Sequence, residues 1–148
     1  MNIIFHMLLG LVLAKLFKFD SIPNITIGVL FSVLPDFDHI PHLKKAFRTG
    51  RFGVESRSPL HELFGLVLVL SGSLVVKVIC SQLFLLALSC GVSHFIVDFL
   101  TRPCRPLYPF SVKKVDLNLY PRGLEEMFTW DAILTAALAL VYVIIMTV

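Results

Sequence analysis

Two stretches of this sequence hold residues that can do chemistry. The first is LPDFDHIPH, Leu34 to His42, which follows the apolar run ITIGVLFSV and places Asp36, Asp38, His39 and His42 within seven residues. Carboxylates beside imidazoles suit zinc, manganese or iron better than calcium, which prefers oxygen alone. Polar capping at a membrane edge is the plainer reading of the same residues, and His42 reads as the more exposed histidine. The second is His94 and Asp98 in SHFIVDFLT. Spacing i, i+4 puts both on one helix face, about 5–6 Å apart at Cβ. Asp98 stands between Val97 and Phe99 in an apolar run. An ionised carboxylate inside a span costs about 2.5–3.5 kcal/mol on insertion scales. A divalent cation offsets that cost, and so does a His–Asp hydrogen bond inside the bundle.

A third stretch, RSPLHELFG, is not an HExxH motif, because Gly65 stands where the second histidine belongs. His61 remains available as a lone ligand. Glu62 points about 100° away from it and suits the positive start of a helix. Arg57 fits an anion clamp, since a guanidinium grips phosphate or carboxylate with two donors; it fits a membrane-edge anchor equally well. His6 taken alone reads as an interior histidine with a satisfied ring.

These residues need elements to carry them. Five apolar segments run through the chain, at Asn2–Phe17, Ile22–Leu34, Leu60–Ile79, Gln82–Leu100 and Met127–Val148. Only the last three reach the length of about 20 residues that a straight membrane span requires. The first two are shorter and call for tilt, a tight hairpin or thin bilayer. KFDSIPN, with Pro23 and Asn24, reads as the turn between segments one and two. Pro35 disfavours helical geometry at Leu34, so the second helix should end there. Only CSQ joins segments three and four, which forces an antiparallel hairpin, and Ser71, Gly72, Ser73 and Gly91 permit close helix contact.

Composition supports this assignment. The 148 residues are 57% hydrophobic and 16% charged, with mean hydropathy +0.86, against about 45–50% and 25% for soluble domains. We therefore expect one all-α membrane-embedded domain over residues 1–148, a polytopic bundle of about five helices with two basic loops on one side. The net charge of +3 is too small to call for a nucleic-acid partner. Cys80, Cys90 and Cys104 form no CxxC pair, so neither a disulfide framework nor a cysteine-rich zinc site is expected. The first apolar run has its lysines, Lys15 and Lys18, after it rather than before it, so it reads as a retained helix rather than a signal peptide.

Ten of the thirteen Lys and Arg residues fall in two loops. Asp36–Pro59 holds Lys44, Lys45, Arg48, Arg51 and Arg57, and Thr101–Glu126 holds Arg102, Arg105, Lys113, Lys114 and Arg122. The hairpin between the loops puts both on one side, and the positive-inside rule makes that side cytoplasmic. The same topology gathers every histidine, and every acidic residue except Asp20, toward that face. His6, Asp36, Asp38, His61, His94 and Asp98 then form a candidate site for one or two divalent ions. Two ions would activate water and clamp a phosphoryl or acyl group.

LPDFDH, Arg57-x-x-x-His61, SHFIVDFLT and PLYPFS, in that order after an N-terminal histidine, resemble the inner-membrane metal-dependent hydrolase family. This is a domain-of-unknown-function group described as LexA-binding hydrolases, and the resemblance covers nearly the whole chain. Where members carry HRxxTHS, this chain has Ser56-Arg57-Ser58-Pro59-Leu60-His61-Glu62. Ser56 therefore replaces a possible histidine ligand, and Glu62 stands where a small hydroxyl does. The order His, Asp, His, then His-x-x-x-Asp is also similar, at a distance, to zinc-dependent phospholipase C. The resemblance implies a hydrolase of a phosphoester or lipid head group, with zinc as the leading cofactor. In that reading Asp38 or Glu62 moves the proton, and Arg57 with Arg102 or Arg105 holds the anionic head group. Membrane lipid is the implied partner. A divalent-metal transporter would instead need polar residues across the whole bilayer. A non-catalytic scaffold would not need His94 and Asp98 in an apolar helix.

Overall fold

A computed structural model of the chain describes residues 2–38, 62–117, 119–121 and 123–147, without the side chains of Asp38 and Leu124. The described residues form an all-α bundle: α1 (Ile3–Leu16), α2 (Ile22–Val33), α3 (Leu63–Ile79), α4 (Phe84–Thr101) and α5 (Leu124–Thr147). Two helices, Ser81–Thr101 and Glu125–Thr147, are long and apolar enough to cross a membrane, while α1, α3 and Ile22–Phe37 are shorter apolar helices. The third segment, expected at span length, is thus one of the short ones, because its helix begins at Leu63 and not Leu60.

α1 starts on an Asn2 cap, whose Oδ1 accepts from the Phe5 amide at 2.8 Å. It ends in a Schellman stop. Lys18 takes the left-handed conformation (φ 61°), its N–H donates to Lys15 O at 2.8 Å, and the Phe19 N–H donates to Ala14 O at 2.9 Å. Phe19 then packs against the core cluster that includes Ala14, in keeping with the apolar contact that accompanies this motif. Pro23 and Asn24 are not part of the turn. They lie in the first turn of α2, where proline's missing N–H is one that no helix bond would use.

α2 also departs from expectation at its end. Leu34 keeps helical angles (φ −48°, ψ −42°), and the chain tightens into a 3-10 segment, Leu34–Asp38. Pro35 cannot donate to the preceding turn, and the tighter winding carries the helix past it. Asp36 therefore sits on regular backbone in line with α2.

α2 lies between α1 and α4, α4 also packs on α3, and α5 packs chiefly on α1. Small residues set these distances. A Cβ on Gly10 would stand 2.5 Å from Ser32 Oγ and 3.0 Å from Val29 Cα, so α1 and α2 touch backbone to backbone there. A Cβ on Gly91 would stand 2.2 Å from Val69 Cγ1, which locks α4 to α3. Of the other small residues expected in that hairpin, Gly72 faces Phe31 of α2, Ser73 is buried and donates to Val69 O, and Ser71 is exposed. The bundle's outer surface is apolar: Val75, Val78, Ile79, Leu140 and Ile144 are all exposed. That is the pattern of a protein whose solvent is lipid.

Candidate functional site

Among the described residues, two buried histidines and two carboxylates meet at one end of this apolar bundle. α1 brings His6 from its first turn, the 3-10 extension of α2 brings Asp36, and α4 brings His94 and Asp98 from its last two turns. His6 and His94 are fully buried and Asp98 nearly so.

The two imidazoles stack, with ring centroids 3.9 Å apart and planes 28° apart. His6 Nε2 lies 3.4 Å from Asp98 Oδ1. Among the described residues neither ring nitrogen of His6 has a hydrogen-bond partner, although the residue is wholly buried, where such groups are nearly always satisfied. His94 Nδ1 lies 2.7 Å from the carbonyl oxygen of Ser32. A carbonyl only accepts, so Nδ1 carries the proton and, in the neutral ring, Nε2 presents its lone pair. That nitrogen stands 3.8 Å from Asp36 Oδ1. A second proton on the ring, or a cation between the two atoms, makes this approach favourable.

One ligand atom each from His6, His94 and Asp98 can be chosen so that all lie within 4.8 Å of one another. Metal–ligand bonds of about 2.0–2.1 Å put neighbouring tetrahedral ligands about 3.3–3.4 Å apart. The His6–Asp98 separation matches that edge, and Asp36 Oδ1 lies within 3.8 Å of His94 Nε2. Two nitrogens and one or two oxygens are the donor set that zinc, manganese and iron(II) accept. The backbone carbonyl that fixes the tautomer of His94 is the usual second partner of a metal-ligating histidine.

Glu62 is buried elsewhere at the same end. Its carboxylate accepts from the Arg105 amide at 2.8 Å and 3.1 Å, and Arg105 Nε lies 3.6 Å from it. It thus pins the loop after α4 to the start of α3, beside a two-way Cys104–Val115 backbone pair. Glu62 and Asp98 line one cavity of about 260 Å³. Arg57 and His61, with His39 and His42, lie outside the described residues, as does the side chain of Asp38.

Sequence reasoning passed over two polar features. The carbonyl of Ser32 carries no signal in a side-chain pattern. Asp131, one of the acidic residues expected toward the basic-loop face, is buried within the second turn of α5, where the single Tyr120 hydroxyl proton is shared between its Oδ1 and Met127 O. Thr135, one turn on, receives Nδ2 of Asn2 at 3.2 Å and so ties α5 to α1. Burial of the Tyr120 hydroxyl, its hydrogen bond to Asp131 and the charge of that carboxylate push the phenol well above its ordinary range. An acidic residue within an otherwise apolar span was the available cue.

Neither a curated protein nor a solved structure matches the chain. The model of one family, described as YdjM inner membrane protein, matches it over residues 1–148. That description names a compartment and no activity, and it agrees with the lipid-facing bundle: the chain belongs to the YdjM inner membrane protein family.

Proposed function

We propose that this inner-membrane protein is a metal-dependent hydrolase over residues 1–148, acting on a phosphoester or lipid head group at the cytoplasmic face. The observation that carries the reading is His6, fully buried, with no hydrogen bond to either ring nitrogen among the described residues and with Asp98 and His94 around it. A buried imidazole whose ring nitrogens make no hydrogen bond is a costly arrangement, and a cation shared with Asp98 and His94 removes the cost.

His6, His94 and Asp98 would hold a first divalent ion, zinc by preference, with Asp36 beside it. Asp38 and His61 remain candidates for a second ion. Such an ion supplies Lewis-acid polarisation of a phosphoryl or acyl oxygen and activates water near neutral pH. The chain's own residues do the rest. Ser32 O orients His94, the apolar shell of α2 and α4 keeps bulk water away, and Arg102 with Arg57 offers donors to an anionic head group. Glu62 serves this reading less directly than expected, since both its oxygens bind the Arg105 amide.

The basic loops support a cytoplasmic site through the positive-inside rule. A transporter reading draws less support. Away from the site, the buried Ser73 hydroxyl donates to its own helix, to Val69 O, and offers no polar path across the bundle.

The test is hydrolysis in vesicles. Protein reconstituted with zinc or manganese in phosphatidylethanolamine–phosphatidylglycerol vesicles should release phosphorylated head group or diacylglycerol, and Asp98→Asn should not. Equal turnover by wild type and Asp98→Asn would overturn the assignment.

A further inference from the structure

The cavity beside Asp98 has a shape and a setting that the metal cluster does not require. It holds about 260 Å³, on the order of nine times the ~30 Å³ of a water in the liquid. Its polar end is formed by Glu62 and Asp98, where α3 begins and α4 ends. From there it runs between the two helices along Phe99, Phe95, Ile96 and Val92 on α4 and Leu66 on α3. Phe99 to Val92 is seven residues of helix, about 10 Å along the axis. The side walls reach the outer surface: Ile96 is 53% exposed and Leu66 37%. Neighbouring positions on the same faces, Val67 and Leu100, are exposed as well. In a bilayer that surface meets hydrocarbon.

We infer that this groove is the lateral entry for one acyl chain of a membrane lipid, which lies between α3 and α4 with its ester end at Asp98. The inference deepens the hydrolase reading by naming a diacyl lipid as the substrate class. Its physical basis is independent of catalysis. A narrow apolar groove open to hydrocarbon cannot stay empty without losing dispersion contacts along both walls. Water, which needs two to four polar partners, finds few there. An acyl chain fills such a groove without desolvation cost. The polar end, where Glu62 and Asp98 close the groove, is where a glycerol ester must stop.

The test uses the full chain in vesicles doped with either of two photoactivatable phospholipids. One carries its diazirine at the end of one acyl chain, the other next to the ester. Adducts are located by peptide mass spectrometry. The chain-end probe should mark Val92 and Leu66, and the ester-side probe Phe99 and its neighbours. Ile96→Trp, a substitution at a half-exposed wall position, should lower adducts at Val92 to the level seen at Val75, an outer-surface position on α3. Val75→Trp should leave Val92 labelling unchanged. Ile96→Phe is read beside it as a smaller plug, with helicity checked by circular dichroism. Labelling of Val92 and Val75 alike by both probes, with no effect of Ile96→Trp, would show ordinary lipid contact and overturn the inference. Absence of adducts at Ile96 and Val92 would also overturn it, by showing the groove covered by a second copy of the chain. Labelling needs neither metal nor turnover, so a failed groove and a failed hydrolase give different results.

Discussion

His6 and His94, from the first and fourth helices, stack face to face with centroids 3.9 Å apart. Each turns its Nε2 toward a different carboxylate, His6 toward Asp98 and His94 toward Asp36. Four side chains from three parts of the chain therefore converge at one depth. The convergence depends on helix spacing, and the helix spacing depends on a few small residues.

Gly91 tests that dependence. A Cβ there would stand 2.2 Å from Val69 Cγ1, and both residues are buried. Gly91→Ala should destabilise the bundle by about 1–3 kcal/mol, the usual penalty of overpacking. The double variant Gly91→Ala/Val69→Ala should recover part of the loss. Thermal unfolding in detergent, followed by circular dichroism, reads both. Simple additivity of the two single changes would show that the close approach is not where the strain arises.

Tyr120 should stabilise the junction between the second loop and α5. Tyr120→Phe removes the hydroxyl that donates to buried Asp131, at about 1–3 kcal/mol for a buried acceptor left unsatisfied. The sign of the pH effect follows from the raised phenol. A group whose folded pKa is raised contributes stability that is complete below its unfolded value, about 10 for tyrosine, and is lost as pH rises through the higher folded value. Wild type should thus lose melting temperature in the alkaline range above about pH 10, and Tyr120→Phe should lack that component. Parallel alkaline profiles for the two proteins would remove Tyr120 from the account.

Topology can be read with a native cysteine. Cys80 is partly exposed at the α3–α4 turn, opposite the site, while Cys90 and Cys104 are buried. If the basic loops are cytoplasmic, a membrane-impermeant maleimide added to intact cells should label Cys80 and not Lys113→Cys in a Cys80→Ser background. Labelling of the Lys113→Cys site from outside would invert the orientation and move the site off the cytoplasmic face.

What the sequence made legible follows from which features are periodic. The five apolar runs and the His94–Asp98 spacing are written in the order of residues, and the all-α bundle follows from them. Connectivity then gathers His6, Asp36 and the α4 pair at one end, because each short joint reverses the chain. Features that depend on backbone atoms or on contacts between distant elements were not legible. Ser32 matters through its carbonyl and not its hydroxyl. Gly10 meets α2 only because α1 crosses it there. Pro23 looks like a turn residue until the helix start at Ile22 makes its missing donor irrelevant. Pro35 looks like a stop, yet a 3-10 turn carries the chain past it and holds Asp36 within reach of His94. Asp131 resembles a flanking charge because its partner, Tyr120, sits in a loop with no pattern of its own.

The claim that this cluster holds a metal is tested most directly by metal content per folded chain. Wild type purified in detergent, reconstituted with zinc and cleared of loosely bound ions should retain at least one ion per chain by elemental analysis. Asp98→Asn keeps the side chain's shape but is a much poorer ligand, and His6→Phe keeps the ring stack but has no nitrogen. Loss of even an outer-shell partner costs about 10–100-fold in affinity, so both variants should lose the ion while circular dichroism shows unchanged helicity. Wild type without bound metal after reconstitution, or folded Asp98→Asn and His6→Phe proteins with undiminished metal, would contradict the account.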